Sequence, residues 1–217
     1  MLSPTTLYRT LKRSLGGKNS DHGRAGEKGA DFYEESFHKG KHWRVHYTAS
    51  PYYFIWTVIL DRIRRAHARN VLEVGCGSGQ LAHALHEAGI IARYCGFDFS
   101  EARITQARQN CPTLDFQVAD AFQTGLFTTF DYDLVLATEF LEHVEGDLQI
   151  LHALRAGTRF IGTVPNFPYA SHVRHFQDCD EVAQRYAPLF TDFTVHALYA
   201  NERGKTFFLL EGVRSGS

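Results

Sequence analysis

The residues best equipped for chemistry gather first in residues 71–80, VLEVGCGSGQ. Gly75, Gly77 and Gly79 stand at alternate positions between an apolar run and a stretch of helical spacing. Such glycines let a backbone take positive φ and approach a ligand closely. The dinucleotide fingerprint GxGxxG fits only in part, because Gln80 or Ala82 holds the place of its third glycine. Glu73 lies inside the apolar run, where an unpaired carboxylate is costly, so it is expected to aim at a ligand cation or at backbone amides. Asp98 ends a second apolar run about twenty residues past the glycines, where an acidic group can accept hydrogen bonds from ribose hydroxyls. An aspartate leading into a helix is also common there, and both readings stay open.

Positioning these groups requires strands and helices in alternation. Apolar runs at 71–74, 92–97, 114–118, 131–137 and 159–164 predict five strands, and helical spacing fills 80–88, 101–110, 146–154 and 180–187. Ser100 is a natural N-cap for the helix that opens at Glu101. An amphipathic helix over 52–67 precedes the first strand, and 193–199 with 206–213 predict a terminal hairpin. Strands alternating with helices imply an α/β fold: a mostly parallel, Rossmann-like seven-stranded sheet with helices on both faces and a C-terminal antiparallel hairpin.

The bounds agree with one such domain. At 217 residues, 44% hydrophobic and a formal charge of -1, the chain is an ordinary globular one, with no electrostatic argument for nucleic acid. Its longest apolar stretch, 54–60, falls far short of a membrane span, and the first residues lack a signal-peptide core, so the expectation is a cytoplasmic protein without a membrane partner. Cys76, Cys95, Cys111 and Cys179 show no zinc spacing and read as free thiols. Residues 1–30 hold a short basic piece at 7–15 that suits a helix, then a glycine-rich run, and are expected to be mobile. Residues 31–69 are expected to form an aromatic lid and an edge helix, leaving 70–217 as the ligand-binding domain. His38, His42 and His46 recur every fourth residue, but Gly40 interrupts any helix there, so the three read as solvated or packing residues and not as a metal site.

Taken in order, Glu73, Gly75, Gly77 and Gly79, the strand-end Asp98, the pair Asp120 and Ala121, and EFLEHV at 139–144 resemble the class I S-adenosylmethionine-dependent methyltransferases, over about residues 71–213. The resemblance implies S-adenosylmethionine as cofactor. The glycine turn, Gly75 and Gly77, would then approach the methionine part, Asp98 would hold the ribose, and Asp120 would read the adenine amino group with Phe99 and Ala121 flanking the adenine; Glu73, Gly79 and Glu139 complete the expected cofactor-binding set. It places Asn166 on the substrate side and makes His143, with Glu142 beside it, the candidate catalytic pair. A sulfonium methyl is already electrophilic, so the protein needs chiefly to align the groups and remove a proton.

The expected acceptor is a small molecule or carbohydrate-like hydroxyl, with Trp43 and Tyr47 shielding the sulfonium from the lid. Two alternatives stand beside it. Glu139, Glu142 and His143 form ExxEH, which resembles the metal-binding element of the small-RNA 2'-O-methyltransferases, with His172 or His175 as a further ligand. The other alternative is a binding module that keeps the fold without turnover.

Overall fold

The computed structural model describes residues 26–200 and 204–216. The expected helix at 7–15, and residues 1–25 of the expected mobile segment, lie outside these. The chain opens with α1 (Ala30–Lys39), two 3-10 turns (Lys41–Arg44 and Tyr47–Ala49) and α2 (Tyr53–Ala66). The alternating body follows as β1 (Asn70–Val74), α3 (Gln80–Glu87), β2 (Arg93–Asp98), α4 (Glu101–Asn110) and β3 (Asp115–Val118). It continues through α5 (Leu126–Thr129), β4 (Leu134–Thr138), α6 (Asp147–Ala153), β5 (Arg159–Pro165) and α7 (Cys179–Tyr186). The hairpin β6 (Phe190–Tyr199) and β7 (Thr206–Arg214) completes it.

The seven strands lie in the order β3-β2-β1-β4-β5-β7-β6. β1 to β5 are parallel, whereas β7 runs antiparallel to both β5 and β6. Strand order reverses between β1 and β4, so the crevice at their carboxyl ends is where an open α/β sheet takes its ligand. The central strands serve two cores, because alternate side chains leave on opposite faces. Leu72 and Val74 of β1, with Val135 and Ala137 of β4, join the core under α6 and α7. Val71, Leu134 and Leu136 face the other way, onto Ile55, Ile59 and Ile63 of α2 and onto α3 and α4.

The strand at 131–137 starts later than expected. Asp133 lies exposed before β4 and its carboxylate accepts from the Arg69 and Asn70 amides, pinning the loop ahead of β1. β6 begins three residues earlier than the hydropathy pattern implies, with a register shift between Thr191 and Thr194. The bulge hides the period of two that a strand reading relies on. No described helix is long and apolar enough to cross a membrane.

Candidate functional site

The glycine loop connects β1 to α3, and its three glycines have different reasons to be glycine. All take positive φ, at 68° for Gly75, 55° for Gly77 and 74° for Gly79. A Cβ on Gly75 would stand 2.5 Å from the Phe140 ring, and one on Gly79 2.9 Å from the Ala107 Cβ. A Cβ on Gly77 would meet nothing within 4 Å, so this turn borders open space. That space is a cradle which any side chain would fill.

Asp98 ties the loop to the next helix. One carboxylate oxygen accepts from the Gly77 amide at 3.1 Å, the other from the Ser100 amide at 2.9 Å. Burial raises its pKa, while Arg103 and the two amides oppose the shift. Phe99 next to it remains 38% exposed, a large ring left uncovered at the mouth. The Ala119 amide donates to the Asp98 carbonyl at 3.1 Å, which brings Asp120 and Ala121 alongside. Asp120 accepts from the Phe122 amide at 2.9 Å and the Gln123 side chain at 2.8 Å.

Glu73 finds its partner inside the protein instead. Strand alternation sends it to the same face as Val71, and there the Tyr94 hydroxyl donates to it at 2.5 Å. The expectation of a ligand cation or backbone amides therefore gives way to a phenol, which sequence spacing does not reveal.

A second group forms beyond β4. Glu139 has φ 51° and accepts from the Thr163 hydroxyl at 3.0 Å. Glu142 is fully buried, and neither of its carboxylate oxygens has a hydrogen-bond partner among the described residues. Burial above all, and then Glu139, drives its pKa far above the carboxylate range. His143 places Nδ1 2.9 Å from the Ser171 carbonyl, and His172 places Nδ1 3.1 Å from the Phe167 carbonyl. A carbonyl only accepts, so each Nδ1 carries its proton and each Nε2 keeps a lone pair. Burial pushes the His143 pKa down to about 4. His143 Nε2 lies 3.7 Å from Glu142, and one ligand atom from each of Glu142, His143 and His172 falls within 4.8 Å of the others. His175, the other candidate partner, is not in this group and is exposed.

The segment 30–49 packs over the loop. Glu34 of α1 accepts from the Ser100 hydroxyl at 2.7 Å and the Ala102 amide at 3.2 Å. The Gln80 side chain donates to the His42 and Val45 carbonyls. Trp43 and Tyr33 both stack on the Arg103 guanidinium, at 4.5 and 5.0 Å. The cation that Trp43 meets is thus an arginine of α4, and Tyr47 turns outward to Glu87. The aromatic residue beside the candidate base is Tyr33, with its ring 5.8 Å from His143 and 5.2 Å from Phe99. Tyr33 and Arg103 carry no sequence signal beyond aromatic density and a helical arginine. Asn166 binds the Gly204 carbonyl and the Thr206 amide, closing the hairpin.

The buried carboxylates make stability depend on pH. Burial raises Glu73 and Glu139 from 4.5 to about 8. A raised folded-state pKa gives stability that is whole below the unfolded value and is lost as pH climbs through the folded one. Urea unfolding should therefore show a less stable protein at about pH 8.5 than at about pH 5, and Glu73→Gln should reduce that slope.

Residues 71–159 match a family model described as a methyltransferase domain. Over 89 residues the chain is 33% identical to the ubiquinone biosynthesis O-methyltransferase of Thiobacillus denitrificans, covering 39% of this chain and 38% of that protein. The chain thus spans under half the length of this curated relative. The fold matches the N-methyltransferase NodS from Bradyrhizobium japonicum, solved with S-adenosyl-L-homocysteine, at a TM-score of 0.67 and 18% identity, over 88% of this chain and 100% of that one. It also matches the methyltransferase domain of bacterial CtHen1, at 0.55 and 19% identity over 74% and 97%.

Proposed function

We propose that this chain, which belongs to the class I S-adenosylmethionine-dependent methyltransferases, methylates a hydroxyl of a small-molecule or carbohydrate-like acceptor in the cytoplasm. The cofactor supplies an electrophilic methyl group. The residues fit it: the open turn at Gly77 leaves room for it, Asp98 would offer its carboxylate to the ribose hydroxyls, and Phe99, Ala121 and Asp120 would hold the adenine. Glu73 and Glu139 act at one remove, bracing strand ends through Tyr94 and Thr163. Four free cysteines support the cytoplasmic setting.

The observation that carries the choice of a hydroxyl acceptor is His143. Its Nδ1 proton is committed to the Ser171 carbonyl, so Nε2 takes a proton, and burial keeps the ring neutral at physiological pH. Amine nucleophiles need only lose a proton they already shed readily, whereas a hydroxyl needs a base in the transition state. Tyr33 spans from Phe99 to His143 and forms the inner face of the lid. The test is a panel of hydroxylated and aminated acceptors scored by S-adenosylhomocysteine release, beside calorimetry with S-adenosylmethionine. No cofactor binding would refute the proposal; binding without turnover on any acceptor would favour a non-catalytic module. Asp98→Asn should weaken cofactor binding by about ten- to a hundredfold, the worth of one or two hydrogen bonds to a charged group, with the circular dichroism unchanged.

A second reading has one observation in its favour: the orphaned carboxylate of Glu142. An ion held by Glu142, His143 and His172, with Glu139 next to them, would satisfy those oxygens, and the two histidine tautomers leave Nε2 free for it. A divalent ion there would polarise a hydroxyl, as the resemblance to RNA 2'-O-methyltransferases implies. Chelator-sensitive methylation of an RNA 3' end would establish this reading, and chelator-resistant turnover of a small hydroxyl acceptor would exclude it.

A further inference from the structure

The structure points to a metal site outside the methyl-transfer crevice: we propose that His46, His83 and Glu87 bind a zinc-type divalent ion that clamps the segment 41–49 onto α3. His83 and Glu87 lie one turn apart on one face of α3, with Nε2 3.1 Å from Oε1. His46 comes from a different element, capping the 3-10 turn Tyr47–Ala49, yet its Nε2 lies 3.9 Å from the same oxygen. Its ring centroid is 4.9 Å from that of His83, and the three ligand atoms all fall within 4.8 Å of one another.

The spacing decides what could sit there. Zinc bonds of about 2.0–2.2 Å set tetrahedral ligand-to-ligand edges of about 3.3–3.6 Å. The observed 3.1 and 3.9 Å straddle that range, so small side-chain rotations complete the triangle. Two imidazoles and a carboxylate suit zinc with one open position, whereas magnesium and calcium favour oxygen donors throughout. An ordinary helix-surface ion pair would account for His83 and Glu87. It would not call for the third donor.

Outer contacts already orient the donors. The Tyr47 hydroxyl donates to Glu87 Oε2 at 2.6 Å, leaving Oε1 toward the histidines. His46 Nδ1 accepts from the Thr48 amide at 3.4 Å and lies 2.9 Å from the Thr48 hydroxyl; with an ion on Nε2 the ring proton would sit on Nδ1 and donate to that hydroxyl. The His46 and Glu87 side chains are each about half exposed, so an ion reaches them from solvent. The segment so held is the one whose His42 and Val45 carbonyls rest on Gln80, the first residue of α3. Metal binding would therefore fasten the covering segment at its far end.

The test uses the full chain, stripped with a chelator and titrated with zinc, as wild type and as His46→Ala, His83→Ala and Glu142→Gln variants. Wild type and Glu142→Gln should bind one zinc equivalent that both histidine variants bind at least about a hundredfold more weakly. Cobalt should give tetrahedral visible bands that the same two variants lose. Zinc should slow proteolysis within residues 41–49 several-fold in wild type and Glu142→Gln, and in neither histidine variant. His46 is exposed and outside both cores, so His46→Ala stays interpretable if His83→Ala misfolds. Equal zinc affinity in wild type and His46→Ala would overturn the assignment, as would loss of that zinc equivalent in Glu142→Gln alone.

Discussion

Replacing His143 with alanine is expected to lower turnover on a hydroxyl acceptor by about 10²–10⁴-fold, the span of a single general base, while S-adenosylmethionine affinity changes little. The separation follows from the architecture. The groups proposed to face the cofactor lie at the ends of β1, β2 and β3, whereas His143 comes from the turn after β4 and is fixed by Ser171. A free imidazole would lose its basic form below about pH 6.5. Burial pushes His143 down to about 4, so the wild-type rate should show no histidine-linked fall between about pH 7 and about pH 5. Single-turnover rates for wild type and His143→Ala, with calorimetric cofactor affinities, check both parts. An unchanged rate in the variant would remove His143 from the chemistry.

The largest effect on stability is expected from Asp147→Ala, which should cost about 3–5 kcal/mol, as for other buried charges stripped of a partner. Asp147 is fully buried at the start of α6 and accepts from Arg185 Nε at 2.8 Å, Arg185 Nη2 at 2.7 Å and the Tyr186 hydroxyl at 2.8 Å. Arg174 Nη1 approaches it at 3.3 Å. Removing the carboxylate strips the partly buried Arg185 guanidinium and the fully buried Tyr186 hydroxyl of their shared acceptor, and leaves Arg174 with only the Leu141–Glu145 turn to hold it. For a chain of this length the melting temperature should fall by about 6–20 °C. The same change should reach the proposed catalytic turn, because Arg174 also donates to the Leu141 and Val144 carbonyls, at 2.6 and 2.5 Å, and so holds the turn that carries Glu142 and His143. Thermal and urea unfolding measure the first consequence and kcat against KM the second; a shift under about 1 kcal/mol would mean the network is not load-sharing as drawn.

How much of this was legible in the chain depends on the range of the interaction. Local chemistry was legible. Alternating apolar residues, the Ser100 cap and the positive-φ glycines act within a few residues of themselves, and they determined strands, helices and the loop near where they occur. The seven-stranded sheet with its terminal hairpin follows from their order, since strand–helix alternation admits few topologies. The position of Asp98 at a strand end was equally readable, because strand ends and ligand crevice coincide in such sheets.

Contacts between distant segments were decided only by the tertiary structure. Glu73 and Tyr94 lie on adjacent parallel strands, and strand register and face alternation set their hydrogen bond. Tyr33 reaches His143, and Trp43 reaches Arg103, because α1 and the turns after it fold back over α4. The histidines spaced every fourth residue suggested one helical face, but α1 ends at Lys39 and Gly40 sends His42 and His46 onto separate turns. His46 then meets His83 and Glu87 instead of its sequence neighbours. Amino-acid order by itself determined which chemistry the loop and strand ends can offer, because those groups are placed by local backbone geometry. Which side chains converge with one another was settled by packing, which brings together residues whose separation in sequence carries no trace of their nearness in space.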